Sequence, residues 1–454
     1  MKLNILNLVV NRPLFGFGRP RTHEGAPAVR LTPEQALRRS VLACMLWERE
    51  FYEDGESIAV RIGELVPQVA AGKVAALAVE ARSAMKLRHV PLLLVREMAR
   101  HATHRSLVAD TLAAVIQRAD ELTEFLAIYW ATSDAGPGVK RAPLSAQVKK
   151  GLAAAFTRFD EYALAKYDRA AAIKLRDVLF LCHAKPVDAA QAELWKRLIA
   201  GELATPDTWE VALSATGGVA KREVWERLLG ERKLGALALL RNLRNMKAAA
   251  VNQGFVEAAL EAVSTGRVLP FRFLAAARHA PHLEESLERA MLRSLNGAAK
   301  LPGRTVLLVD VSGSMVTQLS RKSEMLRTDA AYGLAVLLRE LCEKVSVYTF
   351  SQETKLMAPR RGFALRDAME HSQAHGGTYL GKALAEVEQE YDRIVVITDE
   401  QSHDRVAGPR GRGYMINVAS AKNGVGYASN GGWVHIDGFS ESVLEYIREL
   451  EVAV

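Results

Sequence analysis

Apolar side chains recur at helical spacing along the first 300 residues, and this pattern constrains the fold more than any other feature. Runs of alternating β-branched residues, which would indicate strands, are missing from this part of the sequence. A helix start is predicted at Thr32-Pro33-Glu34-Gln35, with a capping hydroxyl, a proline at the first helical position and a glutamine at the third. The apolar stripes are Leu37, Val41, Cys44 and Met45; Ile58, Ile62, Leu65 and Val66; Leu92, Leu93 and Met98; Val148, Leu152, Phe156 and Phe159; and Val224, Leu228 and Leu229.

Short connections separate these stripes, at Gly72, Gly136-Pro137-Gly138, Pro186 and Gly217-Gly218. Helices of about ten to twenty residues with such short connections are typical of stacked helical hairpins, in which neighbours bury each other's apolar faces. The sequence therefore predicts an α-solenoid of HEAT type. The stripes share no clean period, so the number of repeats and their curvature stay open.

The periodicity changes at residues 296–303, which predicts a boundary between a helical domain, 1–300, and a second domain, 301–454. Beyond the boundary, apolar strand segments alternate with helical segments, which is typical of a doubly wound parallel sheet. Thr305–Val309 is a continuous apolar run, as expected for a strand buried on both faces. Further strands are predicted at 345–350, 394–397, 414–418 and 433–436, and helices at about 322–342, at about 380–389 and from 440 onwards.

The excess of positive over negative charge is confined to the predicted helical domain. The chain carries a net charge of +8, yet residues 301–454 hold 17 Lys and Arg against 20 Asp and Glu. Residues 1–300 hold the remaining 43 basic and 32 acidic side chains. A basic domain is what a polyanion-binding surface requires, although many basic domains bind no nucleic acid. An apolar fraction of 49% rules out wholesale disorder.

The three cysteines and the N-terminal sequence bear on the compartment. Cys44, Cys182 and Cys342 are too far apart for paired zinc ligands, and their odd number fits isolated thiols in a reducing compartment. The apolar run in MKLNILNLVV is too short for a signal peptide, and no stretch of about eighteen apolar residues occurs elsewhere. We expect a cytoplasmic protein without a membrane segment.

Hydroxyl and carboxylate side chains follow three predicted strands. Asp310, Ser312 and Ser314 form a D-x-S-x-S motif after the first strand, while Thr378 and Asp399 lie in later loops. These hard oxygen donors suit Mg²⁺ or Mn²⁺, which keep several bound waters. A single D-x-S-x-S motif could instead be a turn that caps the next helix. Three segments in order favour a metal site over that alternative.

The same residues do not indicate an enzyme. Neither serine has a histidine at a motif-like position, and the G-x-S-x-G elbow is absent. Phosphate-loop and dinucleotide-binding glycine patterns are absent as well. His371, His375 and His403 lie near the loops, but loop histidines are more often solvated than catalytic. We therefore expect a binding protein and not a catalyst.

The motif of the second domain resembles the metal-ion-dependent adhesion site of von Willebrand A domains. In that family the two serines and the threonine ligate the metal directly, and the two aspartates hold it largely through water. The resemblance carries these roles to Ser312, Ser314, Thr378, Asp310 and Asp399. It also implies that a partner protein supplies a carboxylate to the open coordination position.

The helical domain resembles the TROVE domain of the Ro proteins. The resemblance rests on YALAKY (162–167) followed by IKLRDVLFLCHAKP (173–186), on TWEVALS (208–214), LALLRNLRNM (237–246) and LPFRF (269–273), and on LWEREFYEDG (46–55). With the metal motif, it covers about residues 30–454. It implies a monomeric ring of helical repeats whose two ends are joined by the A domain.

The resemblance also implies ligands. Family members take single-stranded 3′ ends of misfolded RNAs into the ring hole and bind small structured Y RNAs on the basic outer surface. A Y RNA can tether the bacterial proteins to an exoribonuclease such as polynucleotide phosphorylase. Lys166 and His183 match basic positions of that outer surface, and Arg169 lies one position away from another. The expected role is noncoding-RNA quality control or processing.

Basic residues cluster where the resemblance expects RNA. On a continuous helix Tyr162, Lys166 and Arg169 would share one face and could clamp phosphates. Few aromatics flank the basic residues, which favours recognition of backbone and shape over base stacking. Each cation could instead belong to a solvated face, and His183 could be a core histidine. The RNA-binding candidates are Lys166, Arg169, Lys174, Arg176, His183, Lys185, Arg100, His104, Arg241 and Arg244.

Two other functions use the same domains. The first is a scaffold in which a metal-dependent A domain binds a protein and the solenoid serves as a spacer. The second is a chaperone-like accessory to an ATPase. Neither function explains why the excess positive charge lies in the helical domain. The sequence therefore favours RNA binding.

Overall fold

The computed structural model describes residues 32–43, 55–83, 85, 87–131, 143–168, 171–214, 221–265, 268, 270–295, 299–318, 325–419, 432–437, 443, 447 and 451. These residues form two compact units, one built mainly from 32–43 and 56–208 and the other mainly from 209–454. The units divide between Thr208 and Trp209, whereas helices give way to strands between Arg293 and Leu301. The division into domains 1–300 and 301–454 stays a prediction.

The described part of the first unit is helical. Its α-helices are α1 (Pro33–Ala43), α2 (Gly55–Leu65), α3 (Ala71–Ser83), α4 (His89–Arg100), α5 (Val108–Val115), α6 (Ala119–Trp130), α7 (Ala146–Phe156), α8 (Glu161–Tyr167), α9 (Leu175–Cys182) and α10 (Ala189–Ala200). Helix α3 packs against α5, α5 against α7, and α7 against α9, and in the same way α4 packs against α6. Contacts of this kind form two rows of helices, as stacked helical hairpins do.

The rows in the first unit pack closely at Gly151 of α7. A Cβ atom at this position would lie 2.7 Å from the carbonyl oxygen of Ala109 on α5 and 2.9 Å from Cβ of Leu112. Only glycine permits this approach of the two helix backbones, because real Cβ atoms do not sit this close to a backbone oxygen.

The second unit begins with six further helices. They are α11 (Trp209–Ser214), α12 (Lys221–Gly230), α13 (Ala236–Ala248), α14 (Gln253–Ala262), α15 (Pro270–His279) and α16 (Glu284–Arg293). Here too the second neighbours pack, α12 on α14 on α16 and α13 on α15. Two helices of the sheet region, α17 (Arg327–Leu341) and α18 (Gly362–Glu370), then pack on α15 and α16 respectively. The helix rows of this unit therefore run directly into the sheet region.

A six-stranded sheet completes the second unit. Its strands are β1 (Leu301–Asp310), β2 (Cys342–Phe350), β3 (Thr354–Leu356), β4 (Arg393–Thr398), β5 (Arg412–Asn417) and β6 (Trp433–Asp437). They lie in the order β3-β2-β1-β4-β5-β6. All neighbours pair in parallel except β3, which is antiparallel to β2. The expectation of a wholly parallel sheet is thus wrong at one edge.

The sheet core forms because its strands are apolar on both faces. Val306 and Leu308 of β1 join Ile394 and Val396 of β4 in a cluster with α19 (Leu380–Glu386). Side chains alternate along a strand, so Leu307 and Val309 point to the opposite face, and α17 packs against β1, β2 and β4. From β1 the chain adds strands first on one side, through β2 and β3, and then on the other, through β4, β5 and β6. The topological switch point therefore lies between β1 and β4, and α/β sheets bind ligands at such a point.

Most predicted elements are confirmed. The five predicted strands correspond to β1, β2, β4, β5 and β6, and α1 begins at Pro33 as expected. The described residues of the predicted stripes are buried, except Val224, which is half-buried. Cys44, Met45, the side chain of Ile58 and the glycines at 136, 138, 217 and 218 lie outside the described residues. Val443, Ile447 and Glu451 are helical, in agreement with the last predicted helix.

Other boundaries differ from the prediction. Gly72 lies inside the first turn of α3 and is not a connection. Described α-helices range from six residues (α11) to fifteen (α17), so several are shorter than expected. The helix predicted to run to residue 389 ends at Glu386, since Val387 is already extended. The helix α18 was not predicted.

Candidate functional site

Three loops at the carboxyl edge of the sheet converge on the candidate metal ligands. We call Asp310, Ser312, Ser314, Thr378 and Asp399 the carboxylate–hydroxyl site. The first loop joins the Thr378 loop through a bond from the Gly313 N–H to the Gly376 carbonyl oxygen, 2.9 Å. The Thr378 carbonyl in turn accepts a 2.9 Å bond from the backbone N–H of His403, which lies beyond Asp399.

Asp310 ends β1 and is fully buried. One of its carboxylate oxygens accepts from the Ser312 backbone N–H at 2.9 Å, and the other accepts from the Thr398 hydroxyl at 2.6 Å. The second bond is possible because β1 and β4 pair in register up to Val309 and Ile397. The parallel register thus places Asp310 beside the strand end that carries Asp399.

Asp399 is also fully buried, and it contacts a cation that the sequence did not single out. The Arg327 guanidinium lies 3.5 Å from an Asp399 carboxylate oxygen and is 1% exposed. The same Nη1 atom lies 3.4 Å from the Ser314 carbonyl oxygen. Arg327 begins α17, so this helix holds one positive charge against the two loops.

The charge of the carboxylate–hydroxyl site is not balanced by Arg327. Burial and, second, repulsion from Asp399 together raise the pKa of Asp310 to about 7, against the lowering effect of the bonds from Ser312 and Thr398. Two buried carboxylates beside one guanidinium leave an excess negative charge when both ionise. A buried like-charged pair of this kind either holds a proton or binds a cation.

The donor set fits a hard divalent cation. The hydroxyl oxygens of Ser312 and Ser314 are 3.3 Å apart. Adjacent ligands of an octahedral ion with ~2.1 Å bonds are separated by about 3 Å. The described residues contain no group of three or more His, Cys, Asp or Glu side chains suited to a metal. A cation at this site would therefore rely on the hydroxyls and on water, as Mg²⁺ commonly does.

The histidines near these loops have structural partners. The ring of His375 bonds to the Val311 carbonyl at 2.6 Å, and that of His371 bonds to the Asp367 carbonyl at 2.8 Å. His403 stacks on Tyr379, with ring centroids 5.4 Å apart. A fourth histidine, His435, contacts the buried Glu400 at 2.7 Å. Among the described contacts, none joins a histidine ring to the hydroxyl of Ser312 or Ser314.

In the first unit, Lys166 lies among aromatic rings. Its ammonium is 5.8 Å from the ring centroid of Tyr162 and 5.7 Å from that of Tyr167. The guanidinium of Arg118, a residue the sequence did not indicate, lies 4.8 Å from the Tyr167 centroid. The expectation of few flanking aromatics is wrong at this cluster. Helix α8 ends at Tyr167, and Arg169 lies outside the described residues.

The other outer-surface candidates surround α9. Lys174 precedes this helix, the exposed Arg176 lies in its first turn, and the exposed Lys185 follows it. His183 ends the helix in a left-handed conformation with φ of 54°, and its ring lies 3.5 Å from the Lys149 ammonium. His183 is exposed, so the alternative of a core histidine is wrong. Lys149 was not predicted.

Two carboxylates, Asp168 and Asp177, lie beside this basic group. Burial raises the pKa of Asp168, whereas the positive charges of Lys174 and Arg176 lower it. Asp168 follows α8 and interacts with Lys174 and Arg176, so the end of α8 lies near the start of α9. The group formed by Lys149, Lys174, Arg176, His183 and Lys185 therefore remains predominantly positive.

Arg100 and His104 differ from the outer-surface candidates. Both carboxylate oxygens of Glu97 lie 3.5 Å from Nη1 of Arg100. His104 is 2% exposed, and its two ring nitrogens bond to the Thr103 hydroxyl at 2.9 Å and the Val69 carbonyl at 3.0 Å. A buried and fully bonded imidazole cannot contact RNA, so the prediction for His104 is wrong. A short 3₁₀ helix, Ala102–Leu107, turns this side chain inward.

Arg241 and Arg244 lie on α13 of the second unit, and both are exposed. They line a pocket of about 380 Å³ together with Arg272 and Arg278 of α15. Neither Arg241 nor Arg244 makes a side-chain hydrogen bond or ion pair to another described residue. Their pairing at i and i+3 is as predicted, and the sequence did not indicate the arginines on α15.

Three comparisons show which known proteins the chain is similar to. The model described as TROVE domain matches residues 190–375. The solved Ro (RSR) protein of Deinococcus radiodurans superposes with a TM-score of 0.61 at 19% identity, over 90% of this chain and 96% of that chain. Telomerase protein component 1 of Rattus norvegicus and of Mus musculus is 33% and 36% identical over 123 residues. The match covers 25% of this chain and 4% of each of these two relatives.

The protein combines stacked helices with a six-stranded sheet, and the carboxylate–hydroxyl site lies at the edge of that sheet. Residues 190–375 match the TROVE domain model, and the chain shares the fold of the solved Ro protein. The superposition shows that the fold is shared across both the helical and the sheet parts. The family match includes Arg241, Arg244 and the first loop, ends three residues before Thr378, and begins after Lys185. No helix among the described residues has the length and apolar character needed to span a membrane.

Proposed function

We propose that the chain is an RNA-binding protein that uses the basic surface around α8 and α9 to bind a small structured RNA. The observation that carries the proposal is the Lys166 cluster, in which two cations and two tyrosine rings lie together on the surface. Tyr162 is 50% exposed, so its ring is available to stack on a base while Lys166 contacts a phosphate.

The Lys149–His183 contact supports the same interface. The Lys149 ammonium lies 3.5 Å from Nε2 of His183, so the two side chains are close enough to contact one phosphate together. The eight residues of α9 extend for about 12 Å. Arg176 near its start and His183 at its end could thus contact separate phosphates of one RNA.

The remaining features of the family resemblance belong to this proposal. They are a ring of helical repeats joined by the sheet domain, entry of single-stranded RNA ends into its hole, Y-type RNA on the outer surface, and an exoribonuclease partner in the cytoplasm. Cys182 and Cys342 are buried and form no disulfide with a described residue, which agrees with a reducing compartment. The proposed role is binding in noncoding-RNA quality control, without catalysis.

A metal-dependent protein interaction is the second candidate function, and the carboxylate–hydroxyl site favours it. We propose that this site holds Mg²⁺ or Mn²⁺, with Ser312, Ser314 and Thr378 as direct ligands and Asp310 and Asp399 acting largely through water. A partner carboxylate would fill the open coordination position. This function uses only the sheet region, so it is compatible with RNA binding by the helices.

Filter-binding titrations at several salt concentrations test RNA binding. Lys166→Ala combined with His183→Ser should weaken binding of a small structured RNA by roughly 1–3 kcal/mol, because charged hydrogen bonds to phosphate are lost. The variant should also have a flatter salt dependence, since fewer counterions are released on binding.

Two exposed lysines serve as matched controls. Lys196→Ala removes a cation from α10 in the same unit, and Lys344→Ala removes one from β2. Both should bind RNA like the wild type. If the double variant binds RNA as tightly as the wild type, or if the wild type prefers heparin to RNA, the α8–α9 interface is wrong. The metal-dependent protein interaction is then the better-supported function.

A further inference from the structure

A cationic pocket opens between α13 and α15 in the second unit. Its volume is about 380 Å³, and it is lined by Arg241 and Arg244 from α13, by Arg272, Arg278 and His279 from α15, and by Met325 before α17. We call the five basic residues and the space they surround the arginine pocket. It lies apart from the α8–α9 surface in sequence and belongs to the other compact unit.

The arginine pocket carries far more positive than negative charge. Arg278 pairs with Asp329 at 2.6 Å, but the side chains of Arg241 and Arg244 have no ion pair with any residue that the structure describes. The pKa of Arg272 is lowered, first by burial and then by the charge of Arg241. Guanidinium groups that repel one another in this way are stabilised by an anion placed between them.

The shape of the pocket indicates what kind of anion it suits. Its volume lies in the range of small-molecule sites, roughly 300–1,000 Å³, and is larger than one oxyanion requires. Leu237, Leu240 and Ala276 line it beside the arginines and offer apolar contact. Planar guanidinium groups bind phosphate oxygens in pairs and stack on flat rings. A phosphate ester attached to a nucleoside matches both the charge and the apolar wall.

We propose that the arginine pocket is a nucleotide-phosphate site, in which Arg241, Arg244 and Arg272 bind the phosphate of a nucleotide and the apolar wall contacts its nucleoside. The nucleotide is either free or part of a single-stranded RNA. Only the RNA form rests on the function proposed above, since a free nucleotide requires no RNA-binding surface.

Isothermal titration of the full chain with adenosine 5′-monophosphate at low salt tests the proposal. The nucleotide should bind, its affinity should fall as salt rises, and uncharged adenosine should bind at least about tenfold more weakly, the loss expected for one charged contact of ~1.4 kcal/mol. Arg241→Ala and Arg272→Ala should each weaken nucleotide binding by about tenfold for the same reason. Melting curves would verify that both variants remain folded.

Lys247→Ala is the matched control, because it removes an exposed cation from α13 outside the pocket. It should bind the nucleotide like the wild type. Equal binding of adenosine and its monophosphate, or equal losses in Arg241→Ala and Lys247→Ala, would overturn the proposal.

Titration with a short oligouridylate, with and without a 5′-phosphate, distinguishes the sources. If the wild type prefers the phosphorylated oligonucleotide and Arg272→Ala loses this preference, the pocket binds an RNA end. If the wild type binds both forms equally and Arg272→Ala binds neither, the pocket binds an internal phosphate. Binding of the monophosphate alone indicates a free nucleotide. The Lys166→Ala, His183→Ser variant should keep its affinity for the monophosphate. Failure of the α8–α9 interface therefore leaves this result unaffected.

Discussion

Replacing Asp310 by asparagine should change how stability depends on pH. The substitution keeps the size of the side chain and its ability to bond Ser312 and Thr398, and removes its charge. In the unfolded chain this carboxyl titrates near 3.8, whereas burial and the charge of Asp399 raise its pKa to about 7 in the folded protein. The folded state then binds a proton that the unfolded state has already released, so stability falls as pH rises between these two values.

The expected size follows from the shift in pKa. Each unit corresponds to about 1.36 kcal/mol, so the full shift corresponds to roughly 4 kcal/mol. Arg327 offsets part of the repulsion, and we expect a loss of about 2–4 kcal/mol between pH 4 and pH 7 in chelator. Asp310→Asn should abolish this dependence and be the more stable protein at pH 8.

Calorimetric melts of the full chain between pH 4 and pH 8 provide the measurement. In EDTA the wild type should lose stability with rising pH, and Mg²⁺ should restore it near neutral pH, because a ligand of the native state stabilises that state. Asp310→Asn should respond to neither. Glu353→Gln, which removes an exposed carboxylate after β2, is the control and should behave like the wild type. A wild-type stability in EDTA that is flat or rises over this range would refute the reasoning.

Two further predictions concern the helices. Gly151→Ala should destabilise the first unit by roughly 1–3 kcal/mol in urea, since its Cβ would meet the Ala109 carbonyl and force α5 and α7 apart; an unchanged midpoint would contradict the close packing. Adenosine monophosphate should change the Mg²⁺ concentration that gives half of the stabilisation in melting curves, because its phosphate would compete with Asp329 for Arg278. Asp329→Asn removes this competition and should therefore reduce the change.

The strands and most helices could be predicted because each has a local signal. A strand buried on both faces must be apolar throughout, as β1 and β4 are, and a helix on a core must be apolar on one side. The antiparallel β3 gave no such signal, because its three residues are half-buried or exposed at the edge of the sheet. Its direction depends on a turn back from β2 and not on an apolar pattern.

The carboxylate–hydroxyl residues could be predicted because each follows a strand, and parallel strands bring their ends together. Arg327 could not, because its burial against Asp399 depends on the packing of α17. The same applies to Lys149 and Arg118, which are 34 and 49 residues away in the sequence from His183 and Tyr167, their respective contacts. His104 was predicted to bind RNA because it lies in a basic stretch of the sequence. Its imidazole is buried in the core, which the sequence did not indicate.

One turn of one helix connects the arginine pocket with the carboxylate–hydroxyl site. Because α17 packs on α15, its first residues lie between them: Asp329 pairs with Arg278 of the pocket, and Arg327 contacts Asp399. Asp329 also accepts from the Leu326 N–H at 2.6 Å and so fixes the start of the helix. An anion that draws Arg278 away from Asp329 removes a charge that stabilises this turn. The position of Arg327, and with it the charge opposite Asp399, then depends on what the pocket holds.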